Sequence, residues 1–266
     1  MDLGLQGRVY LLTGASRGLG FATAQCLVDD GARVVIAARD EARLAAAVDA
    51  LNAPATGDPS GSAAEAQPRA VGLAADLRHA DTPERLIALA RQSFGRFDGG
   101  LISVGGPAQG SAAQMTDEQW REAFETVFLG SVRLARAMLA ELSEGGSVGL
   151  VLSSSARNPI PGLGLSNALR PGLAGVVKDM ADEYGPRGVR VFGLLPHRIL
   201  TDRNRELFAA TGDAAAAQAG AEASIPLRRL GDPAEFGRVA AFLLAPAASY
   251  LTGLLVPVDG GAVRAL

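Results

Sequence analysis

The sequence predicts an α/β fold in which a doubly wound, parallel sheet of seven strands lies between two layers of helices. Short apolar segments alternate with longer amphipathic segments along the whole chain. The apolar segments show no strict alternation with polar residues, which indicates strands buried on both faces and therefore a parallel sheet. A glycine-rich turn at 14–20 joins the first apolar segment to the first helical segment, as a βα unit requires.

The predicted elements follow one another in βα order. Strands are predicted near 8–13, 34–39, 71–76, 100–104, 147–153, 189–195 and 253–258. Helices are predicted near 19–30, 41–52, 82–94, 116–143, 168–184, 203–219 and 233–245. We expect residues 1–266 to form one domain, because a single doubly wound sheet can reach this size.

Several helix starts carry recognisable signals. Asp40 before Glu41 predicts a start at 41, because an aspartate there accepts a bond from the free N–H groups of the first turn. Pro83 and Pro233 suit a first turn, where a missing N–H costs little. The aspartates expected to cap later helices are Asp81, Asp117 and Asp232.

Two segments interrupt the regular order. Residues 52–69 are rich in small and polar residues without an apolar period, so we expect a flexible surface loop. Residues 197–226 leave the carboxyl end of a strand, where doubly wound folds bind their ligands. We therefore expect this second segment to form a lid over a substrate.

Composition and charge narrow the class of protein. The formal net charge of -3, with scattered arginines, gives no basic surface for nucleic acid. One cysteine, Cys26, excludes an internal disulfide, and with only two histidines in the chain we expect no metal site. Cys26 is expected to be a small buried residue. Because neither a signal peptide nor a membrane-length apolar run is visible, we expect a cytoplasmic protein without membrane contact.

The glycine-rich turn has the sequence Thr-Gly-Ala-Ser-Arg-Gly-Leu-Gly at 13–20. Such a turn cradles the pyrophosphate of a dinucleotide, since glycines allow close approach of the backbone and the helix N-terminus offers free N–H groups. A glycine fingerprint alone is a weak signal. Here a second apolar strand follows at βαβ distance, which favours a Rossmann-type nucleotide site over an ordinary tight turn.

The end of the second strand distinguishes NADP(H) from NAD(H). An acidic residue there would bind the ribose 2′-hydroxyl and repel a 2′-phosphate, but this chain has Arg39 at that place. Arg17 of the glycine turn can reach the same region, and two guanidinium groups hold a phosphate well. We therefore expect NADP(H), while Asp40 leaves NAD(H) open, and Arg39 as a mere strand-end charge remains an alternative.

Motifs along nearly the whole chain resemble the short-chain dehydrogenase/reductase family, and within it the 3-oxoacyl-(acyl-carrier-protein) reductases. They are the glycine turn, Ala-Asp-Leu at 75–77, Gly-Pro-Arg-Gly-Val-Arg-Val at 185–191, Pro196 with Thr201-Asp202, Leu-Thr-Gly at 251–253 and Val-Asp-Gly-Gly at 258–261. The resemblance implies that the cofactor contacts come from Gly14, Ser16, Arg17, Gly18, Leu19, Gly20, Arg39, Asp76, Leu77, Gly105, Arg170, Pro196 and Thr201.

The resemblance also implies a catalytic Ser, a Tyr, a Lys four residues after the Tyr, and a supporting Asn. The Ser is retained as Ser153 or Ser154. Ser166 stands at the Tyr position and Arg170 at the Lys position, on one face of a helix, and Phe128 stands at the Asn position. The candidate catalytic residues are therefore Ser153, Ser154, Ser166, Arg170 and His197.

These departures put proton transfer in doubt. Serine is a much weaker acid than a phenol, and the loss of a general acid costs about 10²–10⁴-fold in rate. Arg170 can donate to ribose hydroxyls or to an anionic substrate group, while Pro171 beside it predicts a late helix start or a bend. We hypothesise that His197 supplies the proton while Ser153 or Ser154 orients the substrate oxygen; the alternative is that His197 only lines a loop.

Three functions remain open. The first is an NADP(H)-dependent oxidoreductase acting on a carbonyl or hydroxyl substrate, including 3-oxoacyl groups. The second is a catalytically silent NADP-binding regulatory or assembly protein. The third is a non-redox enzyme that reuses the pocket.

Partners are expected from the resemblance and from charge. The arginines that could meet an acidic acyl carrier are Arg198, Arg203, Arg205, Arg228 and Arg229, although ordinary surface charge accounts for them equally well. A homodimer or homotetramer is implied by the family. The apolar residues that could serve it, if they do not pack on the sheet, are Leu134, Ala135, Met138, Leu173, Val176, Val177 and Met180.

Overall fold

The parallel seven-stranded sheet is confirmed by a computed structural model, which describes residues 1–53 and 68–264. The strands are β1 (Val9–Thr13), β2 (Arg33–Ala38), β3 (Ala70–Ala74), β4 (Gly99–Ile102), β5 (Ser147–Val151), β6 (Arg190–Pro196) and β7 (Leu255–Val258). Their order is β3-β2-β1-β4-β5-β6-β7, with every pair parallel. This is the doubly wound arrangement that the sequence predicts.

The helices are α1 (Gly18–Asp29), α2 (Glu41–Asn52), α3 (Thr82–Phe94), α4 (Asp117–Ala123), α5 (Gly130–Glu141), α6 (Gly164–Tyr184), α7 (Asp202–Ala209), α8 (Ala214–Ser224) and α9 (Pro233–Leu244). The single helix expected over 116–143 is interrupted by a π-helical segment, Phe124–Leu129. The single helix expected over 203–219 is wrong, because Gly212 adopts a left-handed backbone (φ 87°) between α7 and α8.

The two faces of the sheet carry separate apolar cores. One core packs α3, α5 and α6 against the sheet, and the other packs α1, α2 and α9. Of the apolar residues on α5 and α6 that were candidates for an interface between copies, all but Val176 are buried in the first core. They stabilise the sheet layer within one chain, so the alternative of simple packing applies to them.

Helix α6 begins at Gly164, earlier than the expected 168, and it continues through Pro171. Gly164 lies against Ala112, and a Cβ there would approach the Ala112 nitrogen to 2.4 Å, so the first residue of the helix has to be glycine. Pro171 removes the bond to the carbonyl of Asn167 but does not delay the helix. The expectation of a late start is therefore wrong.

The capping predictions hold in part. Asp40 and Asp232 cap α2 and α9 through their side chains, as expected. Asp81 makes no side-chain capping bond, and Asp117 lies inside α4, whose cap is Thr116.

Three remaining expectations concern residues away from the helix caps. Cys26, expected to be buried, is only half-buried on α1. Within the described ranges, no helix is long and apolar enough to cross a membrane. Of the loop predicted over 52–69, Asn52 belongs to α2 and accepts bonds from the backbone of Arg69 and Ala70, while 54–67 lie outside the described residues.

Candidate active site

The candidate site lies at the carboxyl edge of the sheet, where the strand order reverses between β1 and β4. Ligands of doubly wound folds bind in this crevice. The glycine turn follows β1, the loop at 103–110 follows β4, the serine turn at 153–156 follows β5, and His197 follows β6. Parallel strands bring these four connections together although they are far apart in the sequence.

The glycine turn requires glycine on steric grounds. Gly14 and Gly18 have positive φ angles of 58° and 60°, and a Cβ on Gly14 would lie 2.7 Å from the backbone oxygen of Ser103. A Cβ on Gly20 would lie 2.6 Å from the backbone oxygen of Gly14. No side chain caps the first turn of α1, so its N–H groups are available to an anion.

The turn is also fixed to the loop after β4. The hydroxyl of Thr13 donates to the backbone oxygen of Ser103 at 2.8 Å and accepts from its N–H at 2.9 Å. This reciprocal pair holds the glycine turn at a defined distance from the loop that contains Gly105.

The charged residues expected to bind the adenosine half of the cofactor are Arg39, Asp76 and Arg17, and each has a different environment. Arg39 is exposed at the end of β2. Asp76 is bound by both Nε and Nη2 of Arg78, at 3.0 and 2.7 Å, and this hydrogen bonding lowers the pKa of Asp76. Arg17 contacts Glu206 at 3.3 Å and Asp202 at 3.8 Å, both on α7. Its contacts in the structure are thus with the predicted lid.

The start of α7 lies across the mouth of the cleft. The methyl group of Thr201 would be 3.6 Å from a Cβ on Gly18, and Arg203 donates to the backbone oxygen of Pro107 at 3.2 Å. Residues near 201–206 therefore touch the glycine turn on one side and the loop after β4 on the other.

The remaining candidates for cofactor contact lie around the same edge. Ser16 and Leu19 are partly buried in the glycine turn and α1, Gly105 is exposed, and Pro196 ends β6. The backbone oxygen of Leu77 accepts a bond from Arg133. His79 lies nearby on the exposed surface.

Three consecutive serines have three different partners. Ser153 Oγ accepts from the N–H of Ser155 at 3.1 Å and stays partly accessible. Ser154 is buried, and its Oγ lies 2.8 Å from Nδ1 of His197. Ser155 is buried, and its Oγ lies 3.0 Å from Oγ of Ser166. The three hydroxyls therefore differ in partner and in exposure, and only that of Ser153 is accessible.

Ser155, the partner of Ser166, is absent from the candidates that the sequence supplies. A serine at the strand end, 11 positions before Ser166, was a visible signal. Which of three adjacent serines would face the helix depended on the conformation of the turn.

His197 is half-buried and is held by its backbone as well as by Ser154. Its N–H donates to the backbone oxygen of Val258 at 3.3 Å. Burial lowers the pKa of the His197 imidazole, and the nearby charge of Arg198 lowers it further, while Asp259 acts in the opposite direction. The ring is therefore mainly neutral at pH 7. Its Nε2 has no hydrogen-bond partner among the described residues.

Arg170 is almost completely buried, at 4% exposure. Its Nη1 donates to the backbone oxygen of Val151 at 2.8 Å, whereas its Nε has no partner in the described structure. Burial lowers the pKa of Arg170 to about 10, so the group still carries its charge at pH 7.

Phe128, which the family resemblance sets at the position of a supporting Asn, lies in the π-helical segment. Its ring stacks on Phe124 with centroids 5.3 Å apart, and it covers Gly172, where a Cβ would meet the ring at 2.8 Å. The side chain is apolar and offers no hydrogen bond to Arg170.

Comparison with known proteins places these features in a family. A family model described as enoyl-(acyl carrier protein) reductase matches residues 14–263. Dehydrogenase/reductase SDR family member 4 of Bos taurus is 31% identical over 266 residues, covering 98% of this chain and 89% of that protein. The 3-oxoacyl-(acyl-carrier-protein) reductase FabG of Vibrio cholerae is 31% identical over 261 residues, covering 97% and 98%.

Solved structures agree in fold and in length. The NADPH-bound short chain oxidoreductase of Pseudomonas aeruginosa PAO1, described as containing an atypical catalytic center, superposes with a TM-score of 0.87 at 31% identity, covering 98% of this chain and 99% of that one. L-sorbose reductase of Gluconobacter frateurii, complexed with NADPH and L-sorbose, gives 0.86 at 27% identity over the full length of both chains. The chain therefore belongs to the short-chain dehydrogenase/reductase family of oxidoreductases.

Proposed function

We propose that this protein is an NADP(H)-dependent oxidoreductase acting on the carbonyl or hydroxyl group of a small molecule, with His197 as its proton donor and acceptor. The observation that carries the proposal is the 2.8 Å contact between Ser154 Oγ and His197 Nδ1 at the carboxyl edge of the sheet. It supplies an oriented acid–base group in a member of the family that has no tyrosine at the usual position.

The residues present fit a dinucleotide. Both glycines with positive φ and the uncapped start of α1 form a cradle that any Cβ would obstruct. A nicotinamide bound there would supply or accept the hydride. Two similar solved structures are described with NADPH.

Charges favour the phosphorylated cofactor. Arg39 is exposed and available for a 2′-phosphate, as guanidinium groups bind phosphates with charge-assisted bonds. Asp40 is directed at its own helix, where it accepts from the N–H of Arg43 at 3.0 Å and pairs with its Nε at 3.3 Å. It is therefore poorly placed to select NAD(H), the alternative that the sequence left open.

Ser154 and Ser153 have different roles in this proposal. The hydroxyl of Ser154 is engaged with Nδ1 of His197, and it holds the ring so that Nε2 is free to exchange a proton with the substrate oxygen. Ser153 is accessible, and because its oxygen accepts a backbone N–H, its own proton is free to orient that oxygen. In the reducing direction Nε2 gives its proton to the oxygen and His197 regains one from water.

Ser166 is an unsuitable proton donor despite its position. It is only 7% exposed and its hydroxyl is paired with Ser155. We assign this pair to the support of the turn after β5.

The decisive test of cofactor choice is Arg39→Ala. Titration by cofactor fluorescence should show that the native protein binds NADPH more tightly than NADH. The variant should lose about 10-fold or more in NADPH affinity, the value of a charge-assisted bond, with NADH affinity within about twofold. Arg85→Ala on α3, whose guanidinium pairs only with Asp81 in the described structure, is the matched control. Equal binding of both cofactors by the native protein would contradict NADP(H) selection.

The contact of Arg17 with α7 leads to a second prediction. Asp202→Asn with Glu206→Gln should raise NADPH affinity about two- to fivefold, because exposed pairs are worth little more than 1 kcal/mol and the freed guanidinium can meet the phosphates. NADH affinity should change less, and the gain should shrink at high salt. Glu222→Gln on α8 is the control. A loss of NADPH affinity in the double variant would show that the α7 acids help to close the site.

A catalytically silent NADP-binding protein is the second candidate. The replacement of three family residues by Ser166, Arg170 and Phe128 favours it. Tight NADPH binding without turnover of any carbonyl in a broad panel would select this function, or the non-redox enzyme, over the oxidoreductase.

We also propose a homodimer or homotetramer that pairs through the segments 116–143 and 168–184, as the family resemblance implies, but through other residues than the apolar ones first considered. Phe124 is 45% exposed and borders a groove of about 500 Å³ that is also lined by Trp120 and Leu169. An exposed apolar groove on α4 and α6 suits a second copy of the chain. Sedimentation velocity of native protein and Phe124→Asp tests it.

A further inference from the structure

Arg170 is a buried positive charge for which the described part of the chain offers no negative partner. The residue is 4% exposed, and no carboxylate of the described residues forms an ion pair with it. Burial is the only influence that shifts its pKa, and no neighbouring charge contributes. A buried ion without a counter-ion is unfavourable, so its presence beside the carboxyl end of β5 points to a ligand.

The free edge of the guanidinium has the shape that a carboxylate recognises. Nη1, on one side, is occupied by the backbone oxygen of Val151 at 2.8 Å. Nε and Nη2 lie on the other side, and neither has an acceptor among the described residues. Two parallel N–H donors on one edge form the fork that binds both oxygens of a carboxylate.

The free edge of Arg170 lies at the candidate active site. Val151 is the last residue of β5, directly before the serine turn at 153–156. Ser166 lies one helical turn before Arg170 on the same face, and it pairs with Ser155 instead of the guanidinium. Serine lacks the aromatic ring of tyrosine, so Ser166 fills less space beside Arg170 than the tyrosine that the family resemblance implies there.

A bound cofactor does not remove the need for a negative partner. The ribose next to a nicotinamide carries hydroxyl groups, which accept hydrogen bonds but bring no charge. We propose that Arg170 binds a carboxylate of the substrate, so that the preferred substrates are oxo acids or hydroxy acids and not neutral carbonyl compounds. This proposal rests on the proposed oxidoreductase function.

The first experiment compares matched substrates in the presence of NADPH. Two pairs are used: acetoacetate with its methyl ester, and 2-oxobutyrate with 2-butanone. In each pair the first compound has a carboxylate and the second is neutral. The native protein should prefer the acid in each pair by about 10-fold or more in kcat/KM, mainly through a lower KM. Arg170→Gln should bring each ratio to within about twofold. Preference of the native protein for the neutral member, or equal loss of both activities in the variant, would overturn the proposal.

A binding experiment gives a readout independent of turnover. Butyrate, at constant ionic strength, should raise the unfolding temperature of the native protein, and butyramide should not. The shift should disappear in Arg170→Gln and persist in Arg157→Gln, a control whose exposed guanidinium follows the same strand. No shift with butyrate, or a shift that survives Arg170→Gln, would contradict the proposal.

The variant Arg170→Lys and a prior titration with NADPH distinguish failure of the carboxylate site from failure of the proposed function. If Arg170→Gln does not fold, Arg170→Lys decides, because lysine keeps the charge but lacks the fork; the acid-to-ester ratio should then fall at least about threefold. NADPH binding by the native protein is measured first. If NADPH does not bind, the proposed function fails, whereas normal NADPH binding with equal reduction of acid and ester refutes the carboxylate site alone.

Discussion

Replacing Arg190 with methionine is expected to lower the free energy of unfolding by about 3 kcal/mol. Arg190 opens β6 and is 5% exposed. Its Nη1 donates to the backbone oxygen of Leu243 at 2.6 Å, and its Nη2 donates to those of Leu244 and Ala245 at 3.2 and 2.9 Å. The carbonyls of Leu243 and Leu244 end α9, where no further helical N–H is available to them, and that of Ala245 also accepts from the N–H of Ala248. One side chain therefore completes the hydrogen bonding of a buried helix end.

Methionine fills much of the same volume but donates nothing. The carbonyl of Leu243 would be left buried without a donor, at about 1–3 kcal/mol, and each of the other accepting carbonyls would lose one bond, at about 0.5–1.5 kcal/mol. Leu244 keeps the hydroxyls of Tyr10 and Ser147, and Ala245 keeps the N–H of Ala248. Removing a buried charge offsets part of this cost, because burial already lowers the pKa of Arg190. The net loss should lower the unfolding temperature by roughly 6–12 °C for a chain of this size.

The measurement is urea and thermal unfolding followed by circular dichroism. Arg238→Met on the exposed face of α9 is the matched control, and it should change stability by no more than about 0.5 kcal/mol. Equal stability of the Arg190 variant would mean that relief of charge burial outweighs the four hydrogen bonds of the guanidinium, the fourth being a longer one to the backbone oxygen of Leu251 at 3.4 Å.

Arg190 also illustrates what sequence can and cannot predict. The apolar run around it predicts a buried strand, because burial on both faces depends only on local composition. Its bonds reach residues more than 50 positions away, and no local pattern encodes them. In the same way, the parallel sheet is predictable from the βα alternation, whereas the division between α7 and α8 depends on the backbone conformation of Gly212.

The candidate site shows the same division. The glycine turn, Arg39 and the replacements Ser166 and Arg170 are visible as motif and spacing. The contact between Ser154 and His197 joins two loops 43 positions apart, and that between Arg17 and Glu206 spans 189. Such contacts are set by the assembled sheet, which brings the carboxyl ends of parallel strands together.

Replacing His197 with alanine is expected to lower kcat/KM for carbonyl reduction by about 10²–10³-fold, since a positioned general acid contributes this much. NADPH affinity should stay within about twofold of native, because cofactor binding rests mainly on the glycine turn. Ser154→Ala should cost about 10-fold, as it leaves the imidazole present but without its orienting bond. His79→Ala is the control, since that histidine is exposed and is not a hydrogen-bond partner of the three serines in the described structure.

The pH dependence distinguishes proton transfer by His197 from a purely structural role of its ring. Burial and Arg198 lower the pKa of His197 below its ordinary value of 6.5, so the protonated, donating form disappears as pH rises through a value under 6.5. Reduction should therefore be fastest in acid and fall towards neutrality, whereas oxidation of the alcohol should rise through the same pKa because the neutral ring accepts the proton. Both limbs should be absent in His197→Ala and retained in His79→Ala.

The rate of His197→Ala and its pH profile together show whether His197 transfers the proton or only lines the loop. A His197 that only lines the loop would leave rate and pH profile unchanged when replaced, and catalysis would then need another proton source. The buried Ser155–Ser166 pair is a poor one, because neither hydroxyl ionises near neutral pH and both are shielded from water. If His197 transfers the proton, His197→Ala should therefore lose about 10²–10³-fold in kcat/KM together with the pH dependence. Native NADPH affinity in the same variant would show that neither folding nor cofactor binding has changed.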